Sequence, residues 1–149
     1  MTTQYPVLTY GTLRPGCGNY VAHLQGYTVQ EETVELDGFQ MRGNFGFPYV
    51  LEVEGSKIVA TLNYIDPEVY NRVLAGMDRL EGYREGSNGG NHYDRILVEF
   101  DSEGTTRQAY IYVARSRFSR EMAEALPVIE GGDWIEHVRQ ERPHYGFAV

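Results

Sequence analysis

The chain has 149 residues, enough for one domain with a substantial core, and its 42% apolar and 23% charged residues are an ordinary globular balance. A net charge of −8 and a pI of about 4.9 argue against a nucleic-acid or anionic-membrane surface, since both need clustered Lys and Arg. Cys17 is the sole cysteine, no apolar run approaches the roughly 18 residues of a membrane span, and Met1 to Gln4 carries no signal-like core. The expectation is one soluble, cytoplasmic domain over residues 1–149, a monomer or homodimer, with no nucleic-acid or membrane partner.

In chain order, Pro6 to Tyr10 reads as a short strand broken by Gly11, and Thr12 to Gly18 follows as a turn-rich loop. Tyr20 to Leu24 fits one helical turn. Val34 to Met41 reads as a strand interrupted by Asp37-Gly38, and Pro48 to Val53 as a further extended piece. Ile58 to Ile65 alternates, with Ile58, Ala60, Leu62 and Tyr64 on one face and Val59, Thr61 and Asn63 on the other.

A helix is then predicted with Asp66 as its N-cap, Pro67 at its first position and Glu68 pairing with Arg72. Val69, Val73, Leu74, Met77 and Leu80 recur at helical spacing, and Gly82 ends it as a C′ residue. The Gly/Ser/Asn stretch from Glu85 to Asn91 is a loop. Tyr93 to Phe100 and Gln108 to Ala114 are strands joined by a hairpin turn at Asp101 to Gly104. Ser119 opens one short helix, and Asp133 with Glu136 forms a capping box for another. Strands that outnumber helices without regular alternation give an α+β class.

Gly11 and Gly16 have the spacing of a phosphate loop, but Cys17-Gly18 stand where Lys-Ser/Thr should follow, which argues against an NTPase. What remains is a strand ending in a tight turn whose backbone N–H groups suit an anion. His23, His92, His137 and His144 are scattered without metal-ligand spacing, so no metal is expected. Asp78, Glu81 and Glu85 gather where the long helix ends, beside Arg79 and Arg84. A carboxylate there faces the negative end of the helix dipole, and if Glu81 is buried beside Leu80 its pKa is expected to rise toward the range of acid/base chemistry. A solvated, salt-bridged helix end is the competing reading of the same residues.

Tyr10-Gly11-Thr12-Leu13-Arg14 resembles the Y-G-S/T-L signature of the γ-glutamylcyclotransferase-like superfamily. Leu80-Glu81-Gly82-Tyr83, with Asp78 before it, is similar to the family's L-D-x-x-E-G segment, although Met77 replaces the usual Leu. Tyr93-Asp94-Arg95, Ala109 to Val113 and Gly132-Asp133-Trp134 resemble three further elements in family order, so that the likeness covers roughly residues 6 to 135.

This resemblance implies a small mixed β-barrel flanked by short helices. It also implies cyclisation of a γ-glutamyl amide to 5-oxoproline, with release of the attached amine or peptide and without a cofactor. Matched by position, Glu81 is the catalytic acid/base, Tyr10, Gly11, Thr12 and Leu13 hold the glutamyl group, and Tyr112 is a pocket tyrosine. Arg14 is added as a candidate partner for the substrate carboxylate, and Phe39, Phe45, Phe47 and Tyr49 as a wall for an apolar leaving group. The alternative is a non-enzymatic protein that binds a small ligand in the same pocket.

Overall fold

A computed structural model describes residues 3–44, 46–87 and 90–141. Five strands, β1 (Val7–Thr9), β2 (Thr28–Arg42), β3 (Tyr49–Ile65), β4 (Asp94–Ser102) and β5 (Thr105–Val113), form one mixed sheet in the order β2-β3-β1-β5-β4. Four helices flank it: α1 (Gly18–His23), α2 (Tyr70–Glu81), α3 (Arg117–Glu124) and α4 (Trp134–Glu141). None of the described helices is long and apolar enough to cross a membrane.

The short β1 is the centre of the fold. It runs antiparallel to β3, with Val7 opposite Asn63 and Thr9 opposite Thr61, and parallel to β5, with Leu8 opposite Ile111. The expected α+β architecture holds, while the backbone ladder leaves β2 and β4 as edges rather than closing a ring. The sheet is strongly curled all the same. Arg107 of β5 donates to Glu32 of β2 at 2.9 Å, although a flat sheet would hold strands three places apart at roughly 14 Å.

Two extended pieces expected separately, Pro48 to Val53 and Ile58 to Ile65, are one strand. On β2 the register jumps from Asp37, opposite Lys57, to Phe39, opposite Glu52, so the predicted break at Asp37-Gly38 is a register shift within one strand, with one residue of β2 against four of β3. Gly38 takes it up at φ 88°. The turn from β4 to β5 reduces to Glu103 and Gly104 at φ 52° and 78°, a two-residue turn that sets Ser102 opposite Thr105.

Helix starts differ from the sequence reading. Asp66 accepts from the Glu68 N–H in a local Asx turn, and α2 begins later, at Tyr70. Arg72 lies over the Tyr27 ring, and no ion pair joins it to Glu68 among the described residues. The cap of α3 is Ser116, which accepts from the Ser119 N–H, so Ser119 is an interior position. Asp133 does cap α4, accepting from the N–H groups of Ile135 and Glu136.

Apolar side chains fill both faces of the sheet. One core gathers Leu8, Leu36, Met41, Val50, Ile58, Leu62, Ile111 and Val113 under Trp134 and Val138 of α4. The other packs Val7, Leu51 and Tyr112 against Tyr70, Val73 and Met77 of α2 and Ala123 of α3. Burial on both faces explains why Thr61 and Asn63, on the face of β3 opposite Ile58 and Leu62, are buried as well: they pair with Arg14 and with Thr9 inside the molecule.

Candidate active site

The end of β1 and the end of α2 converge on a cavity of about 230 Å³. Tyr10, Gly11, Thr12 and Leu13 line one side. Glu81 and Leu80 come from the last turn of α2, Tyr112 from β5, and His92 and Tyr93 from the segment before β4. Asn19, Phe47 and Pro48 complete the mouth.

Local sequence places each group. Gly11 follows β1 and must be small, because a Cβ there would lie 2.7 Å from Pro48 Cγ. The turn closes with the Arg14 N–H on the Gly11 carbonyl at 3.0 Å. Among the described residues, neither a backbone nor a side-chain acceptor meets the N–H of Gly11, Thr12 or Leu13. Successive backbone amides without a protein acceptor are the kind of group that can hold an anion. Asn19 donates to Thr12 Oγ1 at 2.7 Å, which fixes that hydroxyl and leaves its own proton to give.

Glu81 is positioned by the way α2 ends. Gly82 adopts the left-handed conformation at φ 69°, and Tyr83 N–H bonds back to the Asp78 carbonyl at 2.8 Å, a Schellman closure. Gly82 also lies against His92, where an added Cβ would stand 3.0 Å from His92 Cβ. The stop therefore fixes Glu81 at the cavity wall. Its carboxyl finds no hydrogen-bond donor and no ion-pair partner among the described residues. Burial pushes its pKa from 4.5 up to about 7, with no neighbouring cation to restrain it.

The three tyrosines around it are buried, and burial raises the pKa of each; the negative end of Glu81 adds to all three. Their hydroxyls are committed. Tyr10 donates to the Tyr112 carbonyl at 2.6 Å, Tyr93 to the Pro48 carbonyl at 2.9 Å, and Tyr112 to Asp78 Oδ1 at 2.7 Å. His92 contacts the Tyr49 hydroxyl at 3.2 Å, lies edge-on to Phe47 and Tyr93, and has its pKa lowered by burial.

Of the residues singled out in the sequence, Tyr10, Gly11, Thr12, Leu13, Glu81 and Tyr112 all meet at this cavity. Arg14 does not. It is buried away from the cavity, donating to Thr61 at 3.2 Å and to Asp133 at 2.8 Å. Phe47 lines the mouth, whereas Phe39 belongs to the core under α4 and Tyr49 to the core under α2. Phe45, His144 and the middle of the Glu85 to Asn91 loop lie outside the described residues. Cys17 precedes α1, away from the cavity, and burial pushes its thiol pKa up. Among the described residues no group of three or more His, Cys, Asp and Glu is placed to hold a metal.

Sequence reasoning missed His92, Asn19 and Pro48, and gave Tyr93 no role although its Y-x-R motif stood out. No local pattern marks them: His92 and Tyr93 reach the cavity only when the segment before β4 folds back over the end of α2, while Asn19 comes from α1 and Pro48 from the residue before β3.

A family model described as gamma-glutamyl cyclotransferase, AIG2-like matches residues 7–136. Among solved structures, the chain is similar to PH0828 from Pyrococcus horikoshii, with a TM-score of 0.59 at 21% identity over 96% of this chain and 99% of the other. It is also similar to ytfP from Escherichia coli, with a TM-score of 0.56 at 22% identity over 88% and 96% of the two chains. YkqA from Bacillus subtilis aligns with a TM-score of 0.64 at 18% identity over 96% of this chain but 44% of its own. At such identities the likeness is one of fold. No curated protein matches the chain.

Proposed function

The chain belongs to the gamma-glutamyl cyclotransferase, AIG2-like family, and on that premise we propose that it cyclises a γ-glutamyl amide to 5-oxoproline, with Glu81 as the acid/base. The observation that carries this reading is an unpartnered carboxyl titrating near 7 in the same cavity as three free backbone amides.

The parts divide the work. The substrate's α-carboxylate or its γ-carbonyl oxygen takes the N–H groups of Gly11, Thr12 and Leu13, which hold a negative oxygen without reorganisation. Glu81 as carboxylate removes a proton from the α-amino group, whose nitrogen then attacks the γ-carbonyl carbon of the same molecule. The tetrahedral carbon collapses by breaking its bond to the departing nitrogen, and Glu81 returns the proton to that nitrogen. One C–N bond forms and one breaks, and proton transfer balances the step. A carboxyl near pH 7 takes and gives the proton about equally well. Because both reactants are in one molecule, holding it folded supplies much of the rate: oriented intramolecular reactions reach effective molarities of about 10⁵–10⁸ M.

At the mouth, Phe47, Pro48 and His92 offer the departing amine an apolar wall. Among the described residues no Lys or Arg lines the cavity, so a leaving group without its own carboxylate fits better than one that carries it.

The test is release of 5-oxoproline from a panel of γ-glutamyl compounds by the wild type and by Glu81→Gln. Product with the wild type and near-total loss in the variant is the expected result. Turnover that survives in Glu81→Gln removes the acid/base role, and a folded, silent wild type that still binds 5-oxoproline points to a binding protein instead.

A further inference from the structure

Glu81 shares the last turns of α2 with Asp78, three residues earlier and so on the same face of the helix. Asp78 does not line the cavity; it stands behind a residue that does. Its Oδ1 accepts from the Tyr112 hydroxyl at 2.7 Å, and its Oδ2 pairs with Arg95 Nη1 at 2.6 Å. The Arg95 guanidinium is in turn held between two rings, 5.0 Å from the Tyr83 centroid and 4.6 Å from that of Tyr110. We infer that Asp78, anchored by Arg95, is a positioning residue that holds the Tyr112 hydroxyl proton away from the cavity, so that Tyr112 presents only oxygen lone pairs beside Glu81.

The chemistry of the partners fixes the direction. A carboxylate only accepts, so the proton between Tyr112 and Asp78 belongs to Tyr112 and points at Asp78. Arg95 only donates, which commits the other carboxylate oxygen and prevents the group from turning. The titratable groups that share the cavity with Glu81 are Tyr10 just after β1, His92 and Tyr93 before β4, and Tyr112 of β5. The hydroxyl protons of Tyr10 and Tyr93 are already given to carbonyls. Tyr112 is then the phenol whose proton direction depends on a side chain, and a proton given to Glu81 would stabilise the charged carboxylate and lower its proton affinity. Keeping that proton directed at Asp78 keeps Glu81 basic and leaves a lone pair for an N–H of the substrate's amino group.

This inference rests on the proposed cyclisation for its purpose, but its test separates the two. The sharpest variant is Asp78→Asn, which changes no volume. Arg95 needs an acceptor, so the new amide turns its oxygen to Arg95 and its NH2 to the Tyr112 oxygen, and the hydroxyl proton swings toward Glu81. Both the acid limb of kcat/KM and the Glu81 carboxyl in a ¹³C NMR titration, assigned with Glu81→Gln, should move down by about one unit, the size of a charge-assisted hydrogen bond. In Tyr112→Phe the limb stays or falls, and adding Asp78→Asn to that variant moves it no further.

An unmoved limb in folded Asp78→Asn, an equal shift when Asp78→Asn is combined with Tyr112→Phe, or a rise in Tyr112→Phe alone would each overturn the inference; the last applies even if Asp78→Asn does not fold. Should no γ-glutamyl compound be turned over, the cyclisation reading fails while the NMR titration still decides the role of Asp78.

Discussion

Arg14 donates from Nη1 to Asp133 Oδ1 at 2.8 Å, joining the turn after β1 to the N-cap of α4 across 119 positions of sequence. The same Asp133 oxygen accepts from the N–H groups of Ile135 and Glu136, so one carboxylate serves both a helix cap and an ion pair. Arg14 is 6% exposed, and its Nε bonds to Thr61. This arginine braces the turn from behind.

Arg14→Met should therefore act on stability. Removing one partner of a buried pair costs up to about 3–5 kcal/mol, and the partial exposure of Asp133 reduces this to about 2 kcal/mol. Urea unfolding should show that loss, while KM for a γ-glutamyl substrate stays near the wild-type value. A large rise in KM with unchanged stability would return Arg14 to the substrate.

Glu81 should make the protein less stable as the pH rises. Its folded pKa of about 7 lies above the ordinary 4.5, so the folded state binds more protons than the unfolded one between those values. The contribution of Glu81 is thus fully present below about pH 4.5 and is lost as the pH climbs through 7. Screening at its partly exposed surface leaves about 2 kcal/mol of that effect. Urea melts at pH 5 and pH 8 should show Glu81→Gln gaining on the wild type at the higher pH. An equal gap at both values would mean that the carboxyl is not raised.

The proposed reaction needs Glu81 as carboxylate, so kcat/KM should fall about tenfold per unit below pH 7 and level off above it. His92 is the other group that titrates in this region, and burial moves it downward from 6.5. The acid limb near 7 should accordingly survive in His92→Asn. Its disappearance there would assign the limb to the imidazole.

Two glycines of the α2 region should respond in opposite directions. Gly82→Ala forces a side chain into φ 69° and against His92, at a cost of about 1–3 kcal/mol, and it displaces Glu81. Gly76 sits inside the helix, where a methyl would meet His23 Nδ1 at an ordinary 3.5 Å, so Gly76→Ala should stabilise by about 0.5–1 kcal/mol. Thermal melts of the two variants, with kcat lowered only in Gly82→Ala, are the check.

Much of this arrangement was legible in the residues. The 2-residue alternation of Ile58 to Tyr64, the helical spacing from Val73 to Met77 and the Gly82 stop each encode local structure, because backbone sterics and side-chain period act within one turn or one strand. The position of Glu81 at the helix end was legible for the same reason, since a glutamate just before a C′ glycine is placed by the helix itself, while its role came from the family resemblance. The helix starts were misread where two local signals compete. Asp66 bonds its own chain two residues on and so delays α2, and Ser116 outcompetes Ser119 as the cap of α3.

An acidic chain of mixed class, its strands and long helix, and the turn and carboxylate that line the cavity could all be read from local stretches of residues. Which polar groups face which came from the packing of distant segments. That packing turned Arg14 inward to Asp133, brought His92 and Tyr93 over the end of α2, and aimed the Tyr112 hydroxyl at Asp78. Those choices depend on long-range strand order and on burial, which sets what a carboxyl or phenol must bond to once water is gone, and neither is written in any local stretch of the chain.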